Sequence, residues 1–410
     1  MFTCTWWVLL ASSTSTDASI TFRGVLDRVR EHPQLVAEAA ALTARLPLDR
    51  AISDRSSNPQ LTILPGARLP GADSPGFEIQ GSISQAFQLG GVGDKARSAA
   101  LAEVQEIHAR TRSLALMLSL DAARAWLILQ SRERELQQIE EQLREGRALF
   151  EKVGRALELG ATLATDASEV EVVILELEEQ VIDAEGVRWE QAMALAESLA
   201  TNGSTLLRTA GPSPEVVLPP EREWEEWAHR AAALPAAEAS ELAVRATLAR
   251  STRERAEASW RLTPTITAQL ERPEDVLVFA GVGVAPPWFE RNLRARSLAL
   301  AELRRAEGDA ILSAHASERL MRSAFHEVEH RREIEAQLRN RILPALEKLV
   351  DRNRRRYESG EAEVYSFLRA RQRLFEALRK SIRVTEERQW SEVQAWLLVE
   401  TIASADGDSR

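Results

Sequence analysis

The sequence predicts a mainly α-helical protein with a small β part, in which long antiparallel helical hairpins are joined to four strands. Three observations predict it. Apolar residues recur at alternating three- and four-residue steps over very long stretches free of proline. Two shorter regions alternate apolar and polar residues with a period of two. The landmarks of the first half return about two hundred residues later, which is the mark of an internal duplication.

Composition sets the limits. With 19 Gly and 16 Pro in 410 residues, the chain is poor in turn formers, so long elements are expected. No uninterrupted run of about eighteen apolar residues is present, so a helical membrane span is not expected. A net charge of −10, with Arg and Glu interspersed along the same segments, argues against a nucleic-acid partner, which needs a concentrated basic surface. The single cysteine, Cys4, can form neither an internal disulfide nor a Cys-rich metal site.

Residues 1–19 read as a signal-like or disordered segment. Trp6 to Ala11 is a short apolar run followed by small residues up to Ala18, as in a secretory signal, but no Lys or Arg precedes it. A start site elsewhere, a weak signal and a short disordered tail all remain open. No Leu-rich stretch precedes Cys4, so a lipid anchor there is not expected.

The first repeat is expected over 20–200, with short helices, a β-hairpin at 60–89 and a long helical hairpin at 92–200. In the hairpin strand, Phe77, Ile79, Ile83, Phe87 and Leu89 take odd positions, while Glu78, Gln80, Ser82, Ser84 and Gln88 take even ones. Leu61, Ile63, Ala67 and Leu69 repeat the pattern just before, across the turn-rich Pro70 to Gly76. The helix that follows carries the seam Leu136, Ile139, Leu143, Phe150, Val153 and Leu157, with Gly146 filling one step. At about 1.5 Å per residue, nearly seventy residues reach roughly 100 Å. After a break at Gly160 to Asp166, Val170, Ile174, Leu177, Val181 and Ala184 continue the pattern.

Residues 201–222, rich in Gly, Ser, Thr and Pro, read as a linker. The second repeat, 223–403, is expected to hold short helices, a β-hairpin at 264–285 and a helical hairpin at 289–403, ahead of a tail at 404–410. Its strands alternate through Ile266, Ala268 and Leu270, and then run from Val276 to Val284. Leu277 and Phe279 fall on the face that should meet water. The helical seam passes Met321, Phe325, Val328, Leu338, Ile342, Leu346 and Leu349, breaks at Ser359-Gly360, and resumes through Val364, Phe367, Leu374, Leu378 and Ile382.

Four strands are about long enough to cross a bilayer when tilted but too few to close a barrel alone, so several chains would share one. The alternative is a small soluble sheet capping a coiled-coil stalk.

Five short segments, in order, resemble the outer-membrane efflux factor family, the TolC-like channels, and are nearest its branch serving heavy-metal exporters. They are ITFRGVLDRVREHPQL at Ile20 to Leu35, NPQL at Asn58 to Leu61, ISQAFQLGG at Ile83 to Gly91, APPWFERN at Ala285 to Asn292, and YESGEAEVYSFL at Tyr357 to Leu368. The resemblance implies a homotrimer whose twelve strands form one transmembrane β-barrel in the bacterial outer membrane. Its helices would continue as a periplasmic α-barrel tunnel, joined through a periplasmic adaptor protein to an inner-membrane efflux pump. It implies passive conduction, no cofactor and no enzymatic activity. Phe77, Ile79, Ile83 and Phe87 would then face lipid. Gly160, Asp166, Glu169, Tyr357, Gly360, Glu361 and Val364 would form the periplasmic tip that meets the adaptor.

Two clusters suggest chemistry. His326-Glu327-Val328-Glu329-His330 matches HExxH, in which two imidazoles one helical turn apart bind zinc and the Glu activates water. A hydrolase would also need a third ligand and a cleft, whereas this stretch lies within an uninterrupted helical seam beside Arg322, Arg331 and Arg332. A solvated helix face is therefore expected. The carboxylates Asp166, Glu169, Glu358, Glu361 and Glu363 near the breaks would form acidic rings if repeated around an axis. Equally, they would suit helix N-termini, and Arg354, Arg355 and Arg356 weaken a cation-selective reading.

Overall fold

The computed structural model describes residues 18–53, 58–68, 76–160, 163–201, 206–272, 275–288 and 291–408. In chain order the elements are β1 (Ala18–Thr21), α1 (Phe22–Val29), α2 (Pro33–Ser53), β2 (Gln60–Arg68), β3 (Gly76–Ser84), β4 (Phe87–Gln88), α3 (Val92–Glu158) and α4 (Ala164–Ser198). There follow β5 (Leu207–Ala210), α5 (Trp224–His229), α6 (Pro235–Glu257), β6 (Arg261–Arg272), β7 (Asp275–Ala285), α7 (Leu293–Gln337), α8 (Leu343–Glu358) and α9 (Val364–Asp408). The signal-like run at Trp6 to Ala11 and Cys4 lie outside the described residues.

The chain forms two compact units, each drawing on both halves of the sequence. One comprises the residues up to Val36 with Leu114–Ala231 and Glu318–Arg410. Its largest core gathers around Trp126, which is fully buried and packs edge-to-face on Phe22 with ring centroids 5.5 Å apart. The Trp126 indole N–H donates to the Ile20 carbonyl at 2.9 Å, so the buried ring leaves no polar atom unpaired. Val25, Val29, Leu195, Leu199, Leu207 and Leu397 complete this core. Thr21 caps α1 by accepting from the Gly24 N–H at 3.1 Å.

The expected linker is not wholly irregular. Its residues Leu207–Ala210 form β5 and pair in parallel with β1. The expected tail is mostly helical, since α9 runs on to Asp408. One stretch of α3 is, by length and composition, apolar enough to cross a bilayer, contrary to expectation. It satisfies an average hydropathy rather than an unbroken apolar run, and within α3 Ala122, Ala123, Trp126, Leu127 and Leu129 belong to the core just described.

The predicted helical hairpins are present, and Ile139, Leu143, Val153, Val170 and Leu177 are buried as their seam requires, while Leu157, next to the turn, is exposed. The second seam departs from expectation. Met321, Phe325, Val328 and Leu338 are buried, but Ile342 is exposed and α8 buries no residue. Between α7 and α8 the helix widens into a π turn at Leu338–Ile342. Pro344 explains it, because a proline ring has no N–H to donate and collides with the carbonyl four residues back, and a wider turn relieves both. The extra residue rotates the following turns, which carries Ile342 off the buried stripe.

The other unit comprises Ala37–Ser113 and Ala232–Ser317. Its helices are tied by Arg250, which bonds Glu103 at 2.7 Å and Glu302 at 2.9 Å, and by Arg112, whose Nη2 lies 2.7 Å from both carboxylate oxygens of Glu238. It carries the sheet described next.

Candidate functional site: the sheet and the hairpin tips

The strands β2, β3, β6 and β7 pair antiparallel in that spatial order, β2 with β3, β3 with β6 and β6 with β7. The register places apolar residues in rows across one face: Leu61, Ile83, Ile266 and Ala280; then Ile63, Gly81, Ala268 and Val278; then Pro65, Ile79, Leu270 and Val276. The opposite face reads Thr62, Ser82, Thr267 and Phe279, then Leu64, Gln80, Gln269 and Leu277. Leu277 and Phe279 are thus on the polar face, as the alternation predicted, and Leu64 joins them.

Exposure is the reverse of what a soluble sheet requires. Along β6, Pro264, Ile266, Ala268 and Leu270 are exposed, while Thr263, Thr265, Thr267 and Gln269 between them are half-buried. Ile79 and Ile83 on β3 are exposed, as are Val276, Val278, Val282 and Val284 on β7, Val278 to 67%. A contiguous apolar face of this size is not left bare in water. The Phe77 side chain lies outside the described ones; its backbone pairs with Ala67 in the same ladder.

The thirteen-residue alternation from Phe77 to Leu89 is not one uninterrupted strand. It stops at Ser84 and resumes as β4, with Phe87 opposite Leu262, in unchanged register along β6. The gap lies opposite Pro264, whose ring nitrogen has no hydrogen to give the ladder. The Gln85 N–H still donates to the Pro264 carbonyl at 3.2 Å. Phe87 therefore keeps its expected apolar face. Near this end of the strands stand the exposed Trp260 and Trp288.

Among the described strands, β2 and β7 each pair on one side only. Their nine and eleven residues leave two long edges whose backbone N–H and C=O groups await partners. The two edges run in opposite directions, so β7 of one copy can pair antiparallel with β2 of the next.

At the hairpin tips, Gly160 and Gly360 adopt φ of +70° and +73°, the left-handed region open to glycine. Each N–H closes a tight turn, Gly160 onto the Leu157 carbonyl at 2.9 Å and Gly360 onto that of Tyr357 at 3.0 Å. Behind them Val153, Val170, Val364 and Leu368 form a small core with Tyr357 packed against it, and the Tyr357 and Phe367 rings stack. Val364 is 0% exposed, so its expected contact with a partner gives way to a place in this core. A β-branched residue just after a turn reads alike as contact or packing in sequence; only tertiary placement separates them.

Gly160, Glu169, Gly360 and Glu361 are exposed, and Asp166 and Tyr357 are half-buried. Asp166 sits in the first turn of α4, where a carboxylate suits the helix dipole. The first turn of α9 holds no acidic residue, and Glu361 and Glu363 precede it.

The HExxH stretch lies within α7. Glu327 is held by Arg331 at 3.0 Å, and among the described residues no group of three or more His, Cys, Asp or Glu is placed to hold a metal.

A feature missed in the sequence is Glu135, with 5% of its side chain exposed, in the midst of the α3 seam. It accepts from Arg379 at 2.8 Å, Arg383 at 3.0 Å and Arg132 at 2.7 Å. Burial pulls its carboxyl group up, but the hydrogen bonds from Arg379 and Arg132 and the charges of Arg379 and Arg383 outweigh this and hold it below the usual carboxylate range.

No family model and no curated protein matches the sequence. Solved structures do match its fold. A membrane protein from Pseudomonas aeruginosa aligns with a TM-score of 0.78 at 17% identity, over 97% of this chain and 99% of that one. CusC, solved in a study of folding and transmembrane channel formation, aligns at 0.71 and 17%, over 94% and 95%. The CmeC outer membrane channel of Campylobacter jejuni aligns at 0.70 and 13%, over 96% and 90%. The chain therefore has the fold of the TolC-like outer-membrane channels.

Proposed function

We propose that the chain is one subunit of an outer-membrane efflux channel that conducts substrates passively from periplasm to exterior. The observation that carries the reading is the sheet, with its apolar face exposed, the polar residues of β6 half-buried and two long edges left open. Water would drive the apolar face inward, whereas a bilayer on one side and a water-filled lumen on the other invert that preference. Strands of nine to twelve residues suit a tilted crossing of the hydrocarbon layer. Four strands cannot close, and three copies bring twelve, within the range of closed transmembrane barrels. Trp260, Trp288 and Phe87 would form part of the aromatic girdle at one membrane surface.

The duplication fits the same reading, since each half supplies one strand hairpin and one glycine-turned helical hairpin. The tips around Gly160 and Gly360 would meet a periplasmic adaptor linked to an inner-membrane pump, with Glu169, Tyr357 and Glu361 in reach of it and Asp166 beside them. The sequence segments place the chain nearest the heavy-metal branch of the family. The chain needs no catalytic group or cofactor, because the pump supplies the energy. Leu64, Leu277 and Phe279 on the polar face favour the second reading, a soluble sheet capping a coiled-coil stalk. Native mass measurement separates the two. A detergent-dependent trimer is expected, and a monomer soluble without detergent rejects the channel.

A further inference from the structure

We propose that His326 and His330 form a two-imidazole site for a transition-metal dication of the Cu(II), Ni(II) or Zn(II) class on the exposed face of α7. The site is one of binding and not of hydrolysis, and it does not depend on the channel reading.

The geometry is the first support. The two rings lie parallel within 6°, with centroids 6.2 Å apart. They stand one helical turn apart on one face. Rotation about the side-chain torsions brings one nitrogen of each to the roughly 2.0–2.1 Å of a metal–imidazole bond. Imidazole is the shared preference of copper, nickel and zinc, whereas magnesium and calcium take oxygen ligands.

Rigidity is the second. Met321, Ala324, Phe325 and Val328 are buried on the other side of the same turns, and Phe325 stacks on Trp224 with centroids 4.9 Å apart. The backbone carrying the two imidazoles is thus held, and little order has to be gained when an ion binds.

The third support is electrostatic. The sequence set three arginines against a cation here, but in the structure all three are engaged. Arg322 pairs with Glu225 and Glu318, Arg331 with Glu327 and Glu387, and Arg332 with Glu392. Glu329 and Glu333 lie three residues beyond His326 and His330 respectively, both exposed. They add negative charge beside the two imidazoles, and water would supply the remaining coordination positions.

The test uses the intact purified protein and Cu(II), Ni(II) and Zn(II) salts, with calorimetry for affinity and copper paramagnetic resonance for the ligand set. His326→Ala, His330→Ala and the double variant are compared with His315→Ala, which removes another exposed imidazole from the same helix. Wild type is expected to bind one ion per chain that the double variant does not, with two nitrogen ligands in the copper spectrum. Each single variant should weaken that binding by about tenfold or more, and His315→Ala should not. Equal binding by wild type and double variant overturns the proposal. So does loss of only half the bound metal in each single variant at unchanged affinity, which would mean two separate imidazoles.

Discussion

A lysine placed on the apolar face of β3 distinguishes a membrane sheet from a soluble one, because the two readings predict effects of different size. Ile83 lies in a row with Leu61, Ile266 and Ala280 and is 48% exposed. On a soluble protein, Ile83→Lys at so exposed a site would change stability by no more than about 0.5 kcal/mol and would improve solubility. On a barrel the same face meets hydrocarbon. The middle of the sheet is the row through Gly81 and Ala268, and Ile79 and Ile83 stand two residues to either side of it, about 7 Å away. A lysine facing lipid costs about 2–4 kcal/mol at the midplane and less toward the surfaces, so about 2 kcal/mol is expected at each position. At about 1.4 kcal/mol per factor of ten, the folding equilibrium constant should fall roughly thirtyfold. Ser82→Lys is the control, since Ser82 lies on the polar face between Thr62 and Thr267 and its lysine would reach water. The assay is folding into phospholipid vesicles followed by urea titration, with band mobility before and after heating as the readout. If Ile79→Lys, Ile83→Lys and Ser82→Lys fold alike, β3 has no lipid-facing side and the barrel reading fails.

Gly360→Val should strain the tip, because a β-branched residue at φ +73° costs about 1–2 kcal/mol. Efflux should fall in a complementation assay while trimers persist on native gels. Glu135→Gln should destabilise the helical unit by about 1–2 kcal/mol at neutral pH; that is less than the 3–5 of a fully buried pair, because Arg383 is half exposed. The pH dependence has a fixed sign. The folded-state pKa of Glu135 is depressed, so its contribution is present above the unfolded carboxylate value near about 4.3 and is lost as pH falls through the lower folded value. Thermal melts of wild type and variant should therefore converge in acid. A cysteine at Ser359 should cross-link to a cysteine-scanned adaptor tip; cross-links confined to the strand region near Val278 would reverse the proposed orientation.

The long helices were legible because a heptad seam is a local, repeated signal, and Gly160 and Gly360 marked their ends. The strand faces were legible because alternation needs only neighbours. What stayed hidden depends on residues far apart. The pairing of β1 with β5 joins segments about two hundred residues apart, each too short to announce itself. The interruption of the β3 line comes from Pro264 on the facing strand, and its position opposite Gln85 exists only once the register is set. Glu135 carries no local signal of burial, because its partners Arg379 and Arg383 arrive from α9. Pro344 is the local signal of the π turn, and the spacing of apolar residues does not carry it. At the tip, sequence found the turn but not the inward direction of Val364.

The central claim is that β2 and β7 close on other copies of the chain, and a disulfide between them tests it most directly. Within one chain the two strands are separated by β3 and β6, three strand spacings or about 14 Å, beyond the roughly 4–7 Å between Cα atoms that a disulfide spans. Any β2–β7 disulfide must therefore join two molecules. With Cys4 replaced by serine, a cysteine at Thr62 is combined in turn with one at Leu277, Phe279 or Gly281 on the same face. After oxidation in detergent, one combination should give a covalent trimer on a non-reducing gel that returns to monomer on reduction. Monomers alone across all three combinations would contradict a shared barrel.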